Sequence, residues 1–128
     1  MTTLEILFLL GVLGALPPAI TLALRGQVQE RWWLAALLAL GFIAFSAFPI
    51  VHEGYLGFIP NHTQNLWGTQ VWYDLVCAVI VALVFVVPRA KAVGMNILPW
   101  VLAVSLTASI ALLPMVARLF WLERRTTG

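Results

Sequence analysis

Charged residues are scarce in this sequence. Only 9% of its 128 residues are Asp, Glu, Lys or Arg, and 62% are hydrophobic, whereas a soluble domain carries about 25% charged residues. These few polar side chains cannot cover the core of a soluble protein. We therefore expect hydrocarbon to surround most of the chain. The seven basic residues are dispersed in short connections and near the C-terminus. They form no patch of the kind that binds nucleic acid, so the expected partners are membrane lipids and other membrane protein subunits.

Cysteine and catalytic motifs are also nearly absent. The single cysteine, Cys77, cannot form an internal disulfide. Its place in an apolar run is typical of a small buried hydrophobic residue. No Ser-His-Asp arrangement, phosphate-binding glycine loop or nucleotide fingerprint occurs. We therefore expect no enzyme activity.

Four apolar runs approach the roughly 20 residues that a helix needs to cross a bilayer. They are continuous and do not alternate, which favours helices over barrel strands. The sequence therefore predicts an all-α protein, an integral membrane four-helix bundle in a single domain, 1–128. The expected spans are 4–24, 32–51, 71–87 and 97–122, with one long loop, 53–70.

The basic residues suggest an orientation in the membrane. Arg25, Arg31, Arg89 and Lys91 lie in the first and third connections, while the long loop contains no Lys or Arg. The positive-inside rule then places both short connections in the cytoplasm and both termini outside it. Three further cations oppose this orientation, because a fourth span would carry them outside: Arg118, Arg124 and Arg125.

Small residues recur at helical spacing in three of the runs. Such a face either allows a tight helix interface or arises by chance in an alanine-rich sequence. The positions are Gly11, Ala15 and Ala19; Ala35 and Ala39; and Ala103, Thr107 and Ala111. Prolines should bend two of the helices, at Pro17, Pro18 and Pro114. Thr21 is a candidate to satisfy a carbonyl that the first bend frees.

Asp74 is the most informative polar residue. A carboxylate inside a span is costly, so it should face protein or water and find a partner. It is a candidate for a proton carrier, a ligand anchor or an intersubunit contact, or else for a residue that caps its helix at the interface. The fourth span should end on the face where the third begins, which places Arg118 at a depth comparable to that of Asp74. We therefore treat Asp74 and Arg118 as a candidate ion pair and ligand or proton site.

Two histidines and a glutamate lie near one membrane face. His52 and Glu53 end the second span, and His62 follows in the long loop. These three are candidates for a metal site, and either histidine for a haem or chlorophyll ligand. Their spacing matches no compact metal motif, so solvated interfacial side chains are the alternative. Aromatic residues that end the spans are typical of interfacial belts: Trp32, Trp33, Trp67, Trp72, Tyr73, Trp100 and Trp121.

Several motifs in the second half of the chain carry a resemblance. They are Asp74 early in a helix, the apolar run to Phe85, the connection Arg89-Ala90-Lys91-Ala92-Val93-Gly94-Met95, Leu113-Pro114, and the tail Leu122-Glu123-Arg124-Arg125; Gly11 to Pro18 is similar as well. Over roughly half its length the chain resembles a family of small bacterial multi-pass membrane proteins known only as a domain of unknown function. The resemblance implies a bacterial inner membrane, cytoplasmic or intracytoplasmic, and implies no activity.

Three functions are compatible with these features. The first is a non-catalytic accessory or structural subunit of a larger membrane complex, respiratory or photosynthetic in type. The second is a membrane pocket that binds a lipid, a quinone or a pigment. The third is a small dimeric proton-coupled transporter, which the sequence favours least, because Glu5 lies at the edge of the first span and no acidic residue lies deep within it.

Overall fold

The computed structural model of the chain describes residues 1–26 and 31–127. Within these residues the backbone is helical and contains no strand, so the all-α prediction is confirmed. The helices of this described part are α1 (Thr3–Arg25), α2 (Trp32–Glu53), α3 (Phe58–Thr63), α4 (Leu66–Ala92), α5 (Ile97–Thr107) and α6 (Ser109–Thr127).

Three of the described helices are long and apolar enough to cross a membrane. Helices α1, α2 and α4 contain 23, 22 and 27 residues, with mean hydropathies of 2.2, 2.4 and 2.4 over their most apolar stretches. At 1.5 Å per residue the shortest is about 33 Å long, more than the roughly 30 Å of a hydrocarbon core. These are the helices of a membrane protein, as the composition predicts.

Local sequence explains where two of these helices begin. The hydroxyl of Thr2 accepts a hydrogen bond from the N–H of Glu5 at 3.2 Å, and the Glu5 carboxylate accepts one from the N–H of Thr2 at 2.7 Å. This reciprocal capping box starts α1. The side chain of Asn65 accepts from the N–H of Gly68 at 2.7 Å, and this N-cap starts α4 five residues before the expected span.

The segment 97–122, expected to be one span, is divided at Ala108 into α5 and α6. Ala108 has φ 50° and ψ −121°, a conformation of type II′ turns that glycine adopts most readily. Its N–H donates to the carbonyl of Val104 at 2.7 Å, and its carbonyl accepts from the N–H of Leu112 at 3.0 Å. Pro114, where a bend was expected, lies inside α6. The structure therefore does not confirm a bundle of four spanning helices.

Helix α6 runs back toward the end at which α5 begins. A continuous helix would place Glu123 about 39 Å beyond Ile97. Instead, its carboxylate oxygens lie 2.8 and 2.6 Å from Nε and Nη2 of Arg89, which is in the last turn of α4. Helices α5 and α6 thus form a helical hairpin, and the C-terminal ends of α4 and α6 lie at one level.

The buried core lies between this hairpin and the C-terminal half of α4. Its members are Ala90, Met95, Val104, Met115 and Leu119, and α4 adds partly buried side chains at Val79, Leu83, Val86 and Val87. Helix α2 packs along α6. Helix α6 therefore has neighbours on more than one side, and it contains more buried residues than any other described helix.

Helix α2 packs along α6 and has a row of less exposed side chains, small and large, on one face. Residues at alternating spacings of three and four are among its less exposed ones: Trp32, Ala35, Ala39, Phe42, Ser46 and Pro49. This spacing is typical of helices that cross at about 20°. Ala39 is only 4% exposed, so the predicted small pair Ala35 and Ala39 lies in an interhelical contact.

The other two small-residue faces differ from expectation. Thr107 is exposed and its hydroxyl donates to the carbonyl of Ala103 at 2.7 Å, whereas Ala111 lies beyond the break and packs against the core. These three residues therefore share no single helix face. In α1, none of the described residues is buried, and α1 contacts no other helix in the described part of the chain.

Replacing Ala108 tests the strain at the break. Ala108→Gly should raise the free energy of unfolding by about 1 kcal/mol, because glycine adopts a positive φ without a Cβ penalty. The control Ala103→Gly, inside α5, should lower it by about 1 kcal/mol. Unfolding in detergent followed by circular dichroism measures both. Equal destabilisation by the two substitutions would contradict strain at Ala108.

Candidate functional site

Basic side chains gather where α4 and α6 end. Trp32, in the first turn of α2, lines a groove together with Trp121 of α6, so the start of α2 lies at the same level. We call this level the basic end, and its cations are Arg31, Arg89, Lys91, Arg118, Arg124 and Arg125. Arg25 ends α1, six residues before Arg31 in the sequence.

An ion pair joins two helices at the basic end. The guanidinium of Arg89 donates two hydrogen bonds to the carboxylate of Glu123, from Nε at 2.8 Å and from Nη2 at 2.6 Å. The guanidinium also lies 5.5 Å from the ring centroid of Phe120. The side chains are 41% and 18% exposed, so water screens the pair only in part. This bidentate contact ties the end of the hairpin to α4.

A double-mutant cycle tests this contact. Arg89→Gln, Glu123→Gln and the double variant should give a coupling energy of about 1 kcal/mol, the upper range for exposed pairs, because the geometry is bidentate. The coupling should weaken as salt is added. Thermal unfolding in detergent at two salt concentrations provides the measurement. Additive effects of the two single substitutions would show that the pair does not hold the hairpin.

An open groove of about 380 Å³ lies between α2 and α6 at the basic end. Trp32 and Trp121 contribute large aromatic surfaces to it, and Ala36 and Ala117 leave the space between the helices unfilled. Arg118 is the charged residue among its described lining, and it is exposed. The groove therefore combines an apolar wall with a cation.

Sequence reasoning placed these tryptophans at interfaces without bringing them together. The available signal is a repeated spacing, since Trp32 precedes Ala36 by four residues and Ala117 precedes Trp121 by four. Residues four apart lie on one helix face. Each helix thus presents a large residue beside a small one. The two faces meet because the chain reverses at Ala108. No comparable sequence pattern predicts that reversal.

The expected loop 53–70 contains a helix that was not predicted. Helix α3 packs against the first turns of α4, where the rings of Phe58 and Trp72 stack with 5.6 Å between centroids. A Cβ on Gly68 would lie 2.5 Å from the carbonyl oxygen of Asn61, so this close approach requires glycine. The apolar part of the loop is therefore held against the membrane-spanning helix.

The histidine candidates are held by local contacts. Nδ1 of His62 lies 2.7 Å from the carbonyl oxygen of Phe58. Because a carbonyl only accepts, Nδ1 is the donor of this hydrogen bond. The ring of His52 packs against that of Phe48, with 4.3 Å between the ring centroids. Among the described residues, no three His, Cys, Asp or Glu side chains are grouped to hold a metal ion, so the structure does not assemble a site from His52, His62 and Glu53.

Asp74 lies far from the basic end. It is exposed, and fifteen residues of α4 separate it from Arg89, which corresponds to about 22 Å. Because the hairpin returns α6 to the end of α4, Arg118 lies at the basic end and not at the level of Asp74. The structure therefore does not support their expected ion pair. Cys77, expected to be buried, is exposed one turn further along α4.

Comparisons with family models, with curated proteins and with solved structures found no match to this chain. The resemblance to a family of unknown function therefore stays a prediction. Three features of the described residues bear on function: the unpartnered helix α1, the exposed carboxylate of Asp74, and the groove at the basic end.

Proposed function

We propose that the chain is a non-catalytic subunit of a larger membrane protein assembly, of the respiratory or photosynthetic type, in which α1 packs against a helix of another subunit. The observation that carries the proposal is the isolation of α1. This helix has no buried residue and contacts no other described helix, whereas each of the others packs against at least one neighbour. Lipid alone can cover an apolar helix, so further support for the proposal comes from the polar groups of α1.

Two prolines make lipid a poor neighbour for α1. Pro17 and Pro18 have no N–H, so the carbonyls of Leu13 and Gly14 lose their helical donors. The hydroxyl of Thr21, expected to replace a donor, instead donates to the carbonyl of Pro17 at 2.8 Å. Backbone carbonyls without donors are costly in hydrocarbon. A donor from a neighbouring helix would satisfy them.

The small residues of α1 allow such a neighbour to come close. Gly11, Ala15 and Ala19 are spaced four residues apart and are all exposed. A Cβ on Gly11 would meet no heavy atom within 4 Å. Small-residue faces of this spacing let two helix backbones approach in a membrane, where packing replaces the hydrophobic effect. This supports a protein helix as the neighbour of α1.

Asp74 gives independent support for a partner. It is an exposed carboxylate within the apolar stretch of α4. Charged side chains inside a membrane span usually face protein or a water-filled cavity and pair with another group. Among the described residues, the ion pair present is that of Arg89 and Glu123, and it does not involve Asp74. In the assembly, a donor or cation of another subunit would pair with this carboxylate.

The proposal includes an orientation in a bacterial inner membrane. With three spans and a hairpin that returns to its starting side, the proposal puts the termini on opposite sides of the membrane. The basic end then lies in the cytoplasm, as the positive-inside rule requires, and Glu5 and Glu53 lie toward the other side. This differs from the expectation that both termini are outside, and it no longer leaves Arg124 and Arg125 there.

Cysteine labelling tests the orientation. In a Cys77→Ser background, Thr2→Cys should react with a membrane-impermeant maleimide in intact cells, whereas Thr126→Cys should react only after lysis. In intact cells, most of the Thr2→Cys protein and little of the Thr126→Cys protein should be labelled, because the bilayer excludes a charged reagent. Labelling of Thr126→Cys in intact cells would contradict a cytoplasmic C-terminus.

Native electrophoresis tests the assembly. Extracted from its native membrane in mild detergent, the chain should migrate with a complex much larger than its own 14.1 kDa. The double substitution Gly11→Leu and Ala15→Leu should release most of the chain from the complex, because larger side chains on this face prevent a second helix from approaching. Leu13→Phe adds bulk on the opposite face and is the matched control. Migration of the unaltered chain near monomer or dimer mass would overturn the proposal.

A further inference from the structure

The groove at the basic end combines apolar and aromatic side chains with an arginine, which is the chemistry of a site for an amphiphile. Its volume is about 380 Å³, and it is largely open along the molecular surface. Ala36 and Ala117 leave the gap between the helices, and the rings of Trp32 and Trp121 extend its apolar wall. Helix α2 is long and apolar enough to cross a membrane, so in a bilayer the open side of the groove would meet lipid. An apolar chain that enters it would replace contacts with bulk lipid by contacts with protein.

The charge around the groove selects the head group. Arg118 lines the groove itself, and Arg31 precedes Trp32 in the chain. The guanidinium of Arg125 lies 4.6 Å from the ring centroid of Trp121, which holds a second cation beside the groove. Guanidinium groups bind phosphate through charge-assisted hydrogen bonds.

We propose that this groove binds one anionic phospholipid, with its phosphate at Arg118 and an acyl chain over Ala36 and Ala117. A zwitterionic lipid would fill the same space, but the positive group of its head would lie close to the arginines and be repelled by them. A flat ring system would use the tryptophans and leave the cation without a counter-charge. The site needs only α2 and α6, so it does not depend on whether α1 has a partner.

Lipid titration of the purified full-length chain tests the site. The delipidated protein in mild detergent is titrated with phosphatidylglycerol or phosphatidylcholine of identical acyl chains, and bound lipid is counted by native mass spectrometry. Phosphatidylglycerol should bind about tenfold more tightly, which corresponds to about 1.4 kcal/mol. Glycerol 3-phosphate in excess should fail to displace it, because it lacks the acyl chains.

Matched variants distinguish a site from general attraction to a basic surface. Arg118→Gln should abolish the preference for phosphatidylglycerol, and Arg118→Lys should retain most of it. Lys91→Gln removes the same charge from the same end, outside the groove lining, and should leave the preference unchanged. Circular dichroism establishes that each variant is folded.

Three results would overturn the site. They are equal binding of the two lipids by the unaltered chain, an equal loss of preference in Arg118→Gln and Lys91→Gln, and complete displacement by glycerol 3-phosphate. The first would leave an apolar groove without head-group selection. The second would indicate diffuse electrostatic attraction, and the third would indicate a phosphate site in place of a lipid site.

Discussion

The reversal of the chain at Ala108 determines the position of every group that follows it. Because α6 turns back, its apolar residues pack against α4 and α5 on one side and α2 on another, and Met115 and Leu119 become core residues. The bidentate contact between Arg89 and Glu123 holds the returning end in register with the end of α4. A straight continuation would remove that contact, the core around Met115 and the groove together.

The reversal also explains a charge distribution that otherwise conflicts with membrane insertion. With four spans, the cations of the first and third connections would lie on one side and those of the tail on the other. With three spans and a hairpin, Arg118, Arg124 and Arg125 join Arg89 and Lys91 at one level. In the proposed topology, the electrostatic preference for cytoplasmic cations acts in the same direction on all five of these residues. Topology and composition become consistent.

Hydrophobicity and length were sufficient to predict the helical class and the three long apolar helices, because each is a continuous apolar run bounded by polar residues. The break at Ala108 was not predictable in this way, since the run continues through it and the residue is neither glycine nor proline. Pro114, at which a bend was expected, lies inside α6, six residues after the break. Helix α3 was missed because six residues containing Pro60 carry no helical periodicity. The groove forms because the chain reverses at Ala108. Since the sequence does not predict the reversal, it does not predict the groove either.

In lipid, exposure of apolar side chains does not by itself indicate a partner, because hydrocarbon solvates them as well as protein does. Polar groups at membrane depth are different, because lipid cannot satisfy them. The carbonyls freed by Pro17 and Pro18 and the carboxylate of Asp74 need protein donors or water. The guanidinium of Arg118, at the interface, can instead be satisfied by a phosphate that the membrane itself supplies. The polar groups thus divide the surface into parts that protein donors or water can satisfy and a part that a lipid head group can satisfy.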